Sequence, residues 1–181
     1  MSSHNFETLR GTVLSASRSR SWATAVQEWQ VIGVEDDPRS AGICVCGKVG
    51  LLYLYTIRNR QTGHDLFPIG SSCVNLFEVE DLNVSVSVLR VLFDLRAALE
   101  SRKHVTLTPE YFSRAMLADL WENGAFPPND YNHGNGENDY KFMLDMFNNH
   151  RDPSTGESRK IWVLVNKAIK PFVLTDERLG S

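Results

Sequence analysis

The spacing of apolar positions divides this chain near Glu78-Val79-Glu80-Asp81. Residues 1 to 79 carry short apolar runs broken by glycines and polar turns, a pattern of mixed α+β structure. From residue 80 onward the apolar positions recur every three or four residues, which predicts helices. Val88, Leu89, Val91, Leu92, Leu95 and Leu99 mark the first of them. A second is announced by Thr108 as N-cap and Pro109 at the first helical position; it presents Phe112, Ala115, Met116 and Leu120 and stops near Gly124. The run "DYKFMLDMF" predicts a third, with Tyr140, Met143 and Phe147 on its face. A fourth starts near Glu157, presents Ile161, Leu164, Val165, Ala168, Ile169 and Phe172, and should end at Pro171. Residues 80 to 181 therefore read as three to four amphipathic helices, packed as a small bundle or as a cap on the first part. The Pro-, Gly- and Asn-rich run at 127 to 139 is an expected surface loop.

In the first part, "FETLRGTVLSAS" suggests a strand or short hairpin around Gly11. "SWATAVQEW" suggests a helix capped by Ser21, with Trp22, Ala25, Val26 and Trp29 on one face, and "QVIGVE" a strand after it. The two tryptophans read as core, with a base-stacking surface as the functional alternative. Residues 51 to 57, "LLYLYTI", and 64 to 69, "HDLFPI", are rich in β-formers and flank "RNRQTG", which predicts a hairpin. "GSSC" then offers a bend and a serine N-cap, so Cys73 belongs in the first turn of a short helix.

This hairpin changes how the cysteines are read. The chain has three, Cys44, Cys46 and Cys73, and a returning strand can set the third beside the first two. Thiolates in a tetrahedral shell are what zinc takes, and Gly47 suits the tight turn of a metal knuckle. His64 is the most available fourth ligand; His4, Asp65 or a water are alternatives, and three buried thiols with no metal are the plain reading. The expected fold is α+β: a small zinc-stapled hairpin module of treble-clef or ribbon type over 1 to 79, followed by the helical part.

The run C-x-C-G, the "Y-x-I-R-N-R-x-T-G" hairpin and "I-G-S-S-C-V" resemble a motif found in uncharacterised proteins of bacteria and their phages, where it is read as a compact zinc-binding module. The resemblance covers residues 22 to 78 and, more loosely, the helical part. It implies Cys44, Cys46 and Cys73 as ligands of a structural zinc ion and carries no biochemical activity with it.

Composition and charge narrow the classes further. An apolar fraction of 42% with 23% charged residues is that of a globular domain. The longest apolar runs are far too short to span a bilayer, and the first twenty residues lack a secretory h-region, so a cytoplasmic protein is expected, in the host cytoplasm if phage-encoded. Neither H-E-x-x-H, nor the deaminase H-x-E with P-C-x-x-C, nor a G-K-[ST] loop is present. With a net charge of −3, nucleic-acid binding would need a local basic face. Lys48, Arg58 and Arg60, with Tyr53 and Tyr55 on the strand leading to the turn, are candidate phosphate-contacting and base-stacking residues. The favoured role is a non-enzymatic zinc protein that binds nucleic acid or a nucleic-acid-processing protein. Alternatives are a phage or mobile-element modulator of a host nuclease or defence enzyme, and a thiol enzyme using Cys73 beside His64.

Overall fold

The computed structural model describes residues 3–149 and 151–180, and its fold is α+β. It divides into two compact units, residues 1–89 with 177–181, and residues 90–176.

The first unit begins with α1 (Ser3–Ala16). A strand or hairpin was the expectation here, because Gly11 and the β-branched Thr12 and Val13 weaken a helix. The helix forms because Leu9 and Val13, four residues apart, are both fully buried on one face, while Gly11 lies on the exposed side. The short α2 (Trp22–Ala25) runs into a tight 3₁₀ turn (Val26–Glu28). The two tryptophans expected on one helix face thus fall in different elements. Trp22 packs edge-on between Phe6 and Phe77, with centroids 5.7 and 5.4 Å away. Trp29 opens a strand and is buried, its Nε1 donating to Ser17 Oγ at 3.0 Å.

Three antiparallel strands, β1 (Trp29–Asp36), β4 (Tyr53–Asn59) and β5 (Asp65–Ile69), form a sheet in the order β1-β4-β5. A smaller ribbon, β2 (Gly42–Ile43) with β3 (Val49–Leu51), lies between β1 and β4 in sequence. Both outer strands of the sheet receive further backbone bonds. Along β1, Val34 N–H donates to Arg178 O and Gly180 N–H to Val34 O, both at 2.8 Å; beside β5, Val45 N–H donates to Pro68 O at 2.9 Å. These bonds cover part of each edge, where an open ladder would invite aggregation. Register shifts at Val31/Gly33 and Tyr55/Ile57 bend the sheet. Tyr55, Ile57, Leu66 and Ile69 form its buried side.

The chain leaves β5 into α3 (Ser71–Asn75) and then α4 (Glu80–Glu100), within which the division between the units falls. In α3 the N-cap position is Gly70, one residue before the expected serine. The predicted apolar face of α4 is present, with Val88, Leu89, Leu92, Leu95 and Leu99 all buried.

The second unit continues with α5 (Arg114–Glu122), α6 (Glu137–Asn148), α7 (Thr155–Leu164) and α8 (Lys170–Thr175). Two predicted ends differ. The stretch at Thr108-Pro109 makes an isolated turn, and α5 is capped by Ser113, whose Oγ accepts the Met116 N–H at 3.1 Å. Ser113 wins because its hydroxyl caps a helix, whereas Thr108 Oγ1 is buried with no hydrogen-bond partner. Pro171 lies within the first turn of α8 instead of ending a helix. Between α7 and α8 the chain widens into π-type turns over Val165–Ile169, with Lys170 N–H donating to Val165 O. The wider turn moves backbone carbonyls away from the position where a proline ring would meet them.

Candidate metal centre

The cysteine knuckle is built by local turn chemistry. Cys44 N–H donates to Lys48 O at 2.8 Å and Gly47 N–H to Cys44 O at 2.7 Å, closing a tight loop. Gly47 sits at φ +85°, a conformation that a side chain would strain. Cys73 arrives from the other direction. β5 ends at Ile69, Gly70 accepts the Cys73 N–H at 2.8 Å, and the first turn of α3 turns the Cys73 thiol back toward the knuckle.

The three sulfurs meet. Cys73 Sγ lies 3.4 Å from Cys44 Sγ and 3.4 Å from Cys46 Sγ, and all three lie within 4.8 Å of one another. Each cysteine is at most 3% exposed. Four ligands held about 2.3 Å from a tetrahedral metal stand roughly 3.8 Å apart, so this triangle is close to one face of such a shell. None of the three is in a disulfide. The donor set therefore fits a thiophilic metal ion, which Cys44, Cys46 and Cys73 could hold.

Electrostatics at the cluster point the same way. The Cys44 thiol is pulled down to about 5, chiefly by the Cys73 S–H, with the Cys46 and Gly70 amides helping against the cost of burial. Gly70 N–H lies 3.4 Å from Cys44 Sγ. Cys73 is pushed up, because its thiol is engaged by Cys44 and a second buried anion beside the first is disfavoured. One thiolate is thus easily formed and further ones are not, a conflict that a bound cation removes.

Other predicted residues stand elsewhere. His64 does not join the sulfurs: it is exposed just before Asp65, while the knuckle bonds to the far end of β5 at Pro68 and Ile69. At about 3.3 Å per strand residue, some 15 Å of chain intervenes. Asp65 is at the same distant end, paired with Arg58. α1 approaches instead, with Asn5 Nδ2 donating to Cys46 O at 2.8 Å and lying 4.0 Å from Cys46 Sγ. Among the described residues, the cysteines are the only His, Cys, Asp or Glu cluster of metal-ligating geometry. A catalytic thiol needs access and a base. Cys73 has neither access to solvent nor His64 nearby.

The candidate nucleic-acid residues are also separated. Lys48 belongs to the knuckle, at the opposite end of β5 from the Arg60 turn. Tyr55 is in the core, its hydroxyl 3.4 Å from Val86 O, so its ring cannot stack on a base. Arg58 spends its guanidinium on Asp65, with Nε and Nη2 each 2.7 Å from a carboxylate oxygen. Arg60 is exposed, with Nη2 donating to Gln27 O at 3.1 Å.

One polar hub was not read from the sequence. Glu28 is buried, and its carboxylate accepts the Arg18 N–H, the Ser19 N–H and Asn59 Nδ2, all at 2.8 Å. These bonds hold its pKa down near 2, with Ser19 and Asn59 the leading causes and burial opposing them. Fully buried Asn59 in turn accepts the Gln61 and Thr62 amides. Arg60 N–H donates to Glu28 O at 2.7 Å. The hub thereby ties the loop that carries exposed Arg18 and Arg20 to the hairpin turn that carries exposed Arg60, at the turn end of the hairpin. The available signal was a lone glutamate inside the apolar run "AVQEWQV".

No family model, no curated protein and no solved structure matches this chain. Among the described residues, no helix is long and apolar enough to cross a membrane.

Proposed function

We propose that this chain is a non-enzymatic zinc-binding protein whose metal is structural and whose stapled module binds nucleic acid through its phosphates. The observation that carries the metal half is the cluster of three buried sulfurs, with Cys73 Sγ 3.4 Å from each of the other two. Zinc is the choice among thiophilic ions because it accepts an all-thiolate tetrahedral shell without redox chemistry. The likeness of the C-x-C-G and I-G-S-S-C-V runs to a zinc-binding module supports it. Sealing of the site from solvent favours a structural ion, since a catalytic one keeps a position open to substrate.

Support for the nucleic-acid half comes from the turn end of the hairpin, which Glu28 organises. Residues 8 to 27 contain Arg10, Arg18 and Arg20 and no acid. Glu28 itself is spent on backbone amides and Asn59, so it leaves Arg18, Arg20 and Arg60 free of a carboxylate partner among the described residues. Such a basic end suits phosphates, and its affinity should fall steeply with salt. Testing it requires gel-shift titrations of the wild type and of an R18E/R20E/R60E variant at about 50 and 200 mM salt. The expected result is salt-sensitive binding that the triple reversal lowers at least tenfold; a well-folded wild type that shifts no DNA or RNA would sink the reading.

A second reading, modulation of a protein partner, is favoured by Ile43 and Val49. These side chains pair across β2 and β3 and are both exposed. Loss of partner binding in I43D/V49D with oligonucleotide binding unchanged would support it.

A further inference from the structure

The second unit contains a groove that the metal-stapled module does not use. Its volume is about 910 Å³, its lining is mostly apolar, and it is open to solvent along one side. Two exposed rings border it, Tyr131 at 94% and Trp162 at 52% exposure. Neither stacks on another aromatic ring among the described residues, unlike Trp121, which lies flat on Tyr140.

The backbone that carries Tyr131 is fixed. Tyr131 sits on the 3₁₀ turn Asp130–Asn132, where Asn129 Oδ1 accepts the Tyr131 and Asn132 amides and Asn132 Oδ1 accepts the Asn129 N–H. Asn132 Nδ2 donates at 2.8 Å to Asp139 on α6, and Asp139 pairs at 2.9 Å with Lys160 on α7. Turn, α6 and α7 are therefore cross-linked through one buried carboxylate. On α7, Arg159, Trp162 and Val163 follow helical spacing onto one exposed face, and Lys167 lies in the π-type segment beyond.

The charge is one-sided. Residues 158 to 175 contain Arg159, Lys160, Lys167 and Lys170 and no acid. Asp139 is the one carboxylate lining the groove, and Lys160 matches it. Arg159 and Lys167 line the groove, are exposed, and form no ion pair among the described residues.

We propose that this groove binds a segment of single-stranded nucleic acid, with bases stacked on Trp162 and Tyr131 and phosphates held by Arg159 and Lys167. Unstacked ring faces beside unpaired cations are what a flat, anionic polymer needs. A duplex hides its bases from such rings. An anionic membrane would call for a convex apolar face, whereas these residues border a concavity.

The test is fluorescence anisotropy of the full chain with a labelled oligothymidylate of about 15 nucleotides and with the matching duplex, at about 50 and 200 mM salt. Sedimentation with phosphatidylcholine/phosphatidylglycerol vesicles runs beside it. W162A should weaken single-strand binding about tenfold. R159E/K167E should do the same and lower the salt slope by about 1.4, two phosphates at roughly 0.7 each. R18E/R20E/R60E should leave single-strand binding that W162A then removes. Groove variants binding single strands within about twofold of the wild type, while R18E/R20E/R60E loses all binding, would overturn the groove assignment and leave the hairpin-end reading standing. No oligonucleotide binding by any form would overturn both, and Trp162-dependent binding to vesicles alone would assign the groove to membranes instead.

Discussion

The Cys44 and Cys73 sulfurs lie 3.4 Å apart although 29 positions separate the residues in sequence. The intervening chain is β3, β4 and β5, and its return brings α3 onto the knuckle. A cation at this point would join two parts of the first unit that few other bonds connect.

Chelation therefore has a local signature. The ribbon β2-β3 has only five residues in its two strands and a register shift between Gly42 and Ile43. Its hold on β5 rests on the Val45 to Pro68 bond and the sulfur cluster. After treatment with a chelator, hydrogen exchange should accelerate first in residues 42 to 51 and 70 to 75, with α6 and α7 protected as before. Simultaneous loss of protection throughout the chain would contradict a local staple.

Glu28 should show itself in acid. Its folded pKa near 2 lies below the ordinary value of 4.5. The carboxylate accordingly adds stability that is present above pH 4.5 and is lost as pH falls toward 2. Glu28→Gln keeps the shape but presents an N–H to a backbone amide, and should cost about 2 kcal/mol at neutral pH. Urea unfolding of both proteins should show that gap closing between pH 4.5 and 2, because metal release affects the two alike.

Among the hairpin arginines, position decides the effect. Arg58→Ala removes an exposed, solvent-screened ion pair with Asp65 and should leave stability nearly unchanged and oligonucleotide affinity altered by about twofold at most. Arg60→Glu, beside the Arg18-Ser19-Arg20 loop, should weaken binding several-fold. Equal effects at the two positions, measured by the same gel shift, would contradict the basic hairpin end described above.

Gly136 gives a prediction in the second unit. A Cβ there would overlap the Phe126 carbonyl oxygen and crowd the Trp121 ring at 3.2 Å. Gly136→Ala should destabilise the protein by about 2 kcal/mol or more, because backbone must move to admit it. The denaturation midpoint checks this, with Gly156→Ala as control, since a Cβ at 156 meets nothing within 4 Å.

The metal cluster was legible because its signals are local. Gly47 marks the knuckle, "RNRQTG" marks the turn and Gly70 starts α3, so the three cysteines converge by short-range rules. His64 looked near to them only along the sequence; an extended β5 carries it away. Alternation puts Tyr53, Tyr55 and Ile57 on one face of β4 but does not say which face is core. Packing puts Tyr55 and Ile57 inside. α1 was missed because Gly11, Thr12 and Val13 disfavour a helix locally, while burial of Leu9 and Val13 is a tertiary effect. Glu28 was missed for a similar reason: its partners Arg18, Ser19 and Asn59 meet only once β1 and β4 pair.

The most direct test of the account is the metal content of the full chain, purified without chelator and measured by elemental analysis beside Cys73→Ser. About one zinc per chain in the wild type, falling to near zero in Cys73→Ser, is the predicted result. A wild-type protein with negligible metal, or a Cys73→Ser protein holding as much zinc as the wild type, would contradict it.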